Sequence, residues 1–229
     1  MSIIEAKNIH KIYQETKVPV NALNGIDLQI EKGEFTAIVG PSGSGKTTLL
    51  NIIGGLDLPT KGDIIINNTN IKDFSSGQLI DFRLNNIGFV FQAYNLIPVL
   101  TAKENTEFIM VLQKRPKAER EEKTKELLEA VGLADKMNHK PGQLSGGQQQ
   151  RVAVARALAS QPQFVIADEP TANLDSKSTN ELLDIMAQMN KKYNTTFIFA
   201  THDQRVMDKA RRIVTIDDGK VVSDQTFKQ

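Results

Sequence analysis

Three groups of residues have the types and spacing to act on a phosphorylated substrate. Gly40-Pro41-Ser42-Gly43-Ser44-Gly45-Lys46-Thr47 fills every required position of a phosphate-binding loop. In such a loop the glycines turn successive backbone N–H groups onto phosphate oxygens, and the start of the next helix adds partial positive charge. Lys46 then reaches the β- and γ-phosphates, Thr47 gives its hydroxyl to Mg²⁺, and Thr48 adjoins the same nucleotide. A plain glycine-rich turn before a helix is the simpler alternative, but it gives no reason for the lysine and the hydroxyl to fall in register. Phe164-Val165-Ile166-Ala167-Asp168-Glu169 ends an apolar run on two acids. Asp168 is placed to hold the magnesium shell, and Glu169 to accept a proton from, or orient, the water that attacks the γ-phosphate. Alone, such a pair is more often a solvated strand end or a helix cap; beside a phosphate loop it gains a partner. Leu144-Ser145-Gly146-Gly147-Gln148 precedes a helix with an apolar face. Ser145 and the two glycines make either a second anion-binding helix N-terminus or an ordinary serine-capped helix. One ATP cannot use both loops of one chain if they lie on different subdomains, which points to a dimer with shared sites.

These groups need strands and helices to position them. Phe35 to Val39 reads as a short apolar strand running into Gly40, followed by a helix from about Lys46 to Ile53 with Leu49, Leu50 and Ile53 on one face. Upstream, Ile3 to Ile9 and Ala22 to Ile30 alternate as half-buried strands do, with Asn24-Gly25 and Lys32-Gly33 as turns, predicting an antiparallel edge sheet. Ile64 to Ile66 and Ile87 to Phe91 add strands. The chain then turns helical and polar from Leu100 to Ser160, interrupted at Pro116 and Pro141-Gly142. Within that stretch Glu119/Lys123 and Glu121/Lys125 have the spacing of helical ion pairs, and Leu127, Leu128 and Val131 form the apolar stripe. Phe164 to Ala167, Thr196 to Ala200 and Ile213 to Ile216 alternate with a helix carrying Leu182, Leu183, Ile185, Met186 and Met189, the pattern of a parallel sheet covered by helices.

The 28 Lys and Arg nearly cancel the 27 Asp and Glu, so there is no broad electrostatic case for a nucleic acid or an anionic membrane surface. The absence of cysteine excludes disulfides, thiolate zinc sites and cysteine nucleophiles and fits a reducing compartment. Met1 to Tyr13 lacks the apolar core of a signal peptide, and runs such as Phe108 to Leu112 are too short to span a bilayer. The expectation is a cytoplasmic protein.

Taken in order, the motifs resemble those of the nucleotide-binding subunit of ATP-binding cassette (ABC) machines, over nearly the whole chain. Leu144 to Gln148 matches that family's signature sequence. The resemblance implies an α/β P-loop NTPase fold: a RecA-like core with an antiparallel β edge subdomain and an inserted α-helical subdomain. On this basis 1–229 is a single ATPase domain, with 1–92 and 156–229 forming the edge sheet and core and 93–155 the helical subdomain. It further implies a homodimer that sandwiches two ATP molecules, so that Ser145, Gly147 and Gln148 act on the partner's nucleotide. Gln92, after Phe89-Val90-Phe91, matches the glutamine loop that touches Mg²⁺ and the attacking water. His202, in Thr201-His202-Asp203, matches the switch histidine at the γ-phosphate, and Tyr13 matches the aromatic residue that stacks on adenine. Ala172-Asn173-Leu174-Asp175 matches the loop that crosses the dimer interface, with Asp175 also placed to cap the next helix.

Asn95 to Asn105 and Leu144 to Arg151 most resemble the branch for lipoprotein release and macrolide export, which also holds a cell-division member. Thr106 to Phe108 departs from the more apolar run of that branch. The segment from Gln92 to about Asn105 is then expected to receive a helix of a separate transmembrane permease, placing the chain peripherally on the inner face of the cell membrane. No role with nucleic acid is implied, since the coiled-coil insertion, zinc cysteines and tandem cassettes of the DNA- and ribosome-associated members are missing.

Overall fold

A strand buried on both faces needs apolar residues at successive positions, and two segments of this chain supply them. In the computed structural model, which describes residues 2–14 and 18–227, they become β3 (Phe35–Val39) and β8 (Thr196–Ala200), parallel neighbours buried along their whole length. The Phe35 ring lies 4.6 Å from that of Phe199 and 5.7 Å from that of Phe197, in tilted contacts that lock the two strands together. The chain divides into two compact units, Met1–Arg83 with Thr196–Gln229, and Leu84–Thr195.

In the first unit β9 (Arg212–Asp217) runs parallel to β3, and β10 (Lys220–Thr226) returns antiparallel to it, giving the order β10-β9-β3-β8. The helix α1 (Lys46–Ile53) follows β3 and buries Leu49, Leu50, Ile52 and Ile53, a wider apolar surface than the single stripe expected. A second, antiparallel sheet has the order β2 (Val20–Glu31), β1 (Ser2–Tyr13), β4 (Lys61–Ile66), β5 (Thr69–Asn70). Its alternation is imperfect for a physical reason: register shifts between Ser2 and Ile4 and between Ala6 and Ile9 put Ile3 and Ile4 both inside. Asn24-Gly25 is likewise no turn. It lies within β2, where Gly25 takes φ +85° beside another register shift, while Lys32-Gly33 makes the real turn into β3. Arg212 ties the unit together, donating to both carboxylate oxygens of Asp224 at 2.8 Å, to Glu34, and to the Gln29 carbonyl at 2.7 Å.

The second unit holds β6 (Ile87–Phe91) parallel to β7 (Phe164–Asp168), with α3 (Ala102–Leu112), α4 (Lys117–Ala130), α5 (Gly146–Ala159) and α6 (Ser176–Tyr193). The sequence pattern does not predict α2 (Ser76–Asn86), whose residues fall on both sides of the division after Arg83, nor β5, β10 and the short helix Gln204–Lys209 of the first unit. A capping box of Thr101 and Glu104 starts α3. Leu127, Leu128 and Val131 are buried as expected, but the charges of α4 pair differently. Glu119 accepts from Arg115 at 3.0 Å and Glu121 from Lys103 at 3.2 Å, so partners before and across the helix replace the i,i+4 lysines. Glu126 joins α4 to the end of α6. It accepts from Lys123 at 2.7 Å, Lys192 at 2.9 Å and the Tyr193 hydroxyl at 2.6 Å.

The hydrogen bond from Lys123 and then that from Tyr193 hold the Glu126 carboxyl down from 4.5 to about 2. A carboxylate depressed by folding adds stability that is complete above its unfolded value and is lost as pH falls through the folded one. Stability should therefore decline between pH 4.5 and about 2 as Glu126 takes up its proton. Glu126→Gln is expected to lower stability at neutral pH and to flatten this part of the acid limb, by up to one proton in slope, in thermal melts recorded across that range.

Candidate functional site

The phosphate loop is shaped by what crowds it from behind. Gly40 leaves β3 at φ +152°, and a Cβ there would lie 2.0 Å from the Ile216 carbonyl oxygen of β9. Gly45, at φ +105°, precedes α1, and its Cβ would sit 2.5 Å from the Ala22 carbonyl oxygen of β2. The Gly219 N–H of the β9–β10 turn donates to the Ser44 carbonyl at 3.0 Å. Two strands and a turn thus press the loop into place, whereas a Cβ at Gly43 would meet no atom within 4 Å. Lys46 donates to the Gly40 carbonyl at 2.9 Å and the Pro41 carbonyl at 2.8 Å, which lays its ammonium along the loop. Thr47 is exposed and is the second residue of α1. The Ser44 hydroxyl is buried and, among the described residues, has no hydrogen-bond partner. Open space at Gly43, an ammonium held by loop carbonyls, a helix N-terminus and an unsatisfied hydroxyl suit a polyphosphate with its metal ion.

A cavity of 270 Å³ extends from this loop to Tyr13, lined among others by Val20, Ala22, Gly43, Lys46 and Thr48. Tyr13 is fixed at its hydroxyl, which donates to Asp57 at 2.9 Å, and Lys11 lies 4.9 Å from its ring centroid while donating to the same carboxylate at 2.5 Å. Burial opposes the charge on Asp57, but the hydrogen bonds from Lys11, Tyr13 and the Leu58 N–H outweigh it and hold the carboxyl below its usual range. Burial, then Asp57, pushes the Tyr13 phenol up, so the ring stays neutral. His202 follows β8, the parallel neighbour of β3, and is exposed. The backbone around it is held by the Thr201 N–H on the Ile38 carbonyl and by Asp203, which caps α7 (Gln204–Lys209).

In the second unit Gln92 follows β6 and Asp168 ends its parallel neighbour β7, with Phe91 in register with Asp168. Gln92 is exposed, and its carbonyl accepts from the Asn173 side chain at 3.1 Å. Glu169 takes φ +46°, a left-handed conformation that costs a residue with a Cβ about 1–2 kcal/mol. Such strain gathers where a side chain must be aimed. Ser145 caps α5 through a reciprocal box with Gln148, each side chain accepting from the other residue's N–H. Capping is therefore part of what this loop does. Gly146 and Gly147 lie close against Tyr94 and Ser178: Cβ atoms there would come within 2.7 Å of the Tyr94 hydroxyl and 2.9 Å of the Ser178 side chain. Asp175 accepts from the Lys177 and Ser178 N–H groups at 3.0 Å, capping α6 as foreseen.

The structure thus gathers Tyr13, Gly40 to Thr48 and His202 in one unit, and Gln92, Asp168, Glu169, Ser145, Gly147 and Gln148 in the other. The supporting residues were not foreseen. Lys11 and Asp57 hold Tyr13, Asn173 holds Gln92, and Arg156 donates to the carbonyls of Tyr94 at 2.9 Å and Asn95 at 2.5 Å. Gln150 is buried and donates to the carbonyls of Phe91 and Pro170. A legible signal for the last was its place among Ala153, Val154 and Ala157, on the apolar face of a helix.

The family model for the ABC transporter matches residues 23–172. This chain belongs to the ABC transporter family. The cassette is similar to the lipoprotein-releasing system ATP-binding protein LolD of Legionella pneumophila, 43% identical over 96% of this chain and 96% of that one. It is 46% identical to the macrolide export ATP-binding/permease protein MacB of Hyphomonas neptunium over 99% of this chain, which spans 35% of that relative. Among solved structures it resembles a dimeric post-hydrolysis state of the cassette MJ0796, of Methanocaldococcus jannaschii, bound to ADP and Pi; the TM-score is 0.89, with 42% identity over 99% of both chains. The fold expected for the family is present, and this ABC cassette is an ATPase.

Gly45→Ala is expected to destabilise the cassette by about 1–3 kcal/mol more than Gly43→Ala, because both strain the backbone but only Gly45 abuts a carbonyl. Denaturant unfolding of the two variants checks the difference, and equal stabilities would mean that the loop gives way at β2.

Proposed function

We propose that this cassette is the ATP-hydrolysing subunit of an export or mechanotransmission complex, in which ATP-dependent closure of a homodimer moves a separate transmembrane permease. What supports this most is the similarity to a lipoprotein-releasing ATP-binding protein over 96% of both chains, with every chemistry-bearing motif in one polypeptide. Among the described residues no helix is long and apolar enough to cross a membrane, which suits a peripheral subunit on the inner face of the cell membrane. The near-balance of charge gives no reason to add a nucleic acid. In this reading residues 93–155 form the helical subdomain that faces the permease, and 1–92 with 156–229 the core.

The roles follow the chemistry of each group. Backbone N–H groups from Gly40 to Gly45, with Pro41, Ser42 and Thr48 alongside, bind the phosphates, and Lys46 neutralises the charge that grows on the γ-phosphate. Tyr13 stacks on the adenine. Thr47, Gln92 and Asp168 would hold Mg²⁺, which would neutralise phosphate oxygens; among the described residues no cluster of three acidic or histidine side chains could hold a metal unaided, so its site depends on the nucleotide. Glu169 accepts the proton of the attacking water, Gln92 and His202 orient water and γ-phosphate, and Ser145, Gly147 and Gln148 act on the nucleotide of the partner subunit. A second reading, a cell-division type ATPase that regulates an envelope enzyme, rests on the same branch resemblance and differs only in what the membrane partner does.

Glu169→Gln should bind MgATP, turn over about 10²- to 10⁴-fold more slowly and accumulate as a dimer in size-exclusion chromatography. Near-normal turnover would remove Glu169 from its role. A permease with a large extracytoplasmic domain should copurify with this trapped form, and a soluble partner alone would overturn transport. Lys46→Ala should weaken nucleotide binding itself by about tenfold or more in titration calorimetry, the loss of a charge-assisted contact.

A further inference from the structure

Buried side chains on α5 are apolar with one conspicuous departure. Val152, Ala153, Val154, Ala155, Ala157, Leu158 and Ala159 are all buried, and Gln150 is buried with them at 0% exposure. Its amide nitrogen donates to the Pro170 carbonyl at 2.8 Å and to the Phe91 carbonyl at 3.2 Å. Its amide oxygen is buried and, among the described residues, has no partner. The orientation of the amide is settled by these acceptors, since a flipped amide would set oxygen against two carbonyl oxygens. A leucine or methionine would fill the same space with no orphaned acceptor, so packing alone does not call for a glutamine.

The two carbonyls are not arbitrary. Phe91 immediately precedes Gln92, and Pro170 immediately follows Glu169, whose left-handed φ of +46° has to be held against relaxation. Phe91 is also in register with Asp168 across β6 and β7, and the Asn173 amide holds the next carbonyl, that of Gln92. Side-chain amides thus fix the backbone on both sides of the residues that carry the chemistry. Gln150 also stands in the second turn of the helix that begins at Ser145.

We propose that Gln150 is a positioning residue for hydrolysis, joining the Ser145 end of α5 to the backbone on either side of Gln92 and Glu169. It touches neither substrate nor metal in this scheme. It acts by keeping Glu169 aimed, and so rests on the assignment of Glu169 as proton acceptor.

Gln150→Met, which keeps the volume and removes both hydrogen bonds, tests this in steady-state and single-turnover hydrolysis by the full chain. The expected result is a fall in kcat of about 10- to 100-fold, the effect of a small misplacement of a reacting group, with KM and MgATP affinity unchanged within about threefold. In a Glu169→Gln background the same change should leave the residual rate unaltered, because nothing remains to be aimed. An unchanged kcat in Gln150→Met overturns the proposal, as does an equally large further loss in the Glu169→Gln background. Gln150→Leu, which also has no donor and is slightly smaller, serves if the methionine variant does not fold; failure of both to fold would assign Gln150 to the core alone and overturn the proposal. Rapid turnover by Glu169→Gln on its own would instead refute the assignment of the base, a result distinguishable from any of these.

Discussion

A parallel strand that ends must find new partners for the N–H and C=O groups its ladder no longer satisfies, and it must find them where the chain is about to turn. Gly40, Gln92, Asp168 and His202, to which the proposed function gives roles, stand at or just after such ends, and the way each end is satisfied fixes the backbone that carries them. After β3 the Ser44 carbonyl turns to the Gly219 N–H. After β6 and β7 the carbonyls of Phe91, Gln92 and Pro170 are taken by the amides of Gln150 and Asn173. After β8 the Thr201 hydroxyl accepts from the Asp203 N–H at 3.0 Å. Strands buried along all or most of their length make these ends rigid, and the bonds that complete them convert that rigidity into side-chain direction.

The elements with the strongest local chemistry were readable in the sequence. The loop from Gly40 to Thr47 requires a strand before it and a helix after it, and β3, α1, β6 and β8 fall where apolar runs meet turn residues. The difficult parts were those whose form depends on distant partners. The helix α2 has only Leu79 buried, so it shows almost no apolar stripe, and β10 is a polar edge strand. Its turn was nonetheless written into the chain: Asp218 and Gly219 both take positive φ, the two-residue hairpin signal. Asn24-Gly25 carries a similar signal but makes a bulge in a long strand, because β1 pairs along its whole length. Charges on α4 misled for the same reason. Glu121 is four residues from Lys125, yet Lys103 of another helix reaches it.

The residues expected to touch substrate were legible as types, but those that aim them were not. Tyr13 is an ordinary tyrosine in sequence; its setting depends on Asp57, whose charge Lys11 stabilises. Gln150 hides in a run of three glutamines, two of which are only partly buried. Spacing alone puts it on the inner face of α5, where a polar side chain has to justify its burial through hydrogen bonds.

The bracing of the phosphate loop also bears on how the protein is made. Gly40 is pressed by the Ile216 carbonyl and Ser44 is bonded to Gly219, so the loop borrows its back wall from a hairpin that lies far along the sequence from it. A ribosome adding roughly 5–20 residues per second reaches that hairpin about 10 to 35 s after it has made the loop. During synthesis the loop therefore emerges with its glycines in place but without the β9–β10 wall against them. Nucleotide bound at that stage would meet a pliant chain, and the back wall of the loop is completed only once the β9–β10 hairpin has been translated.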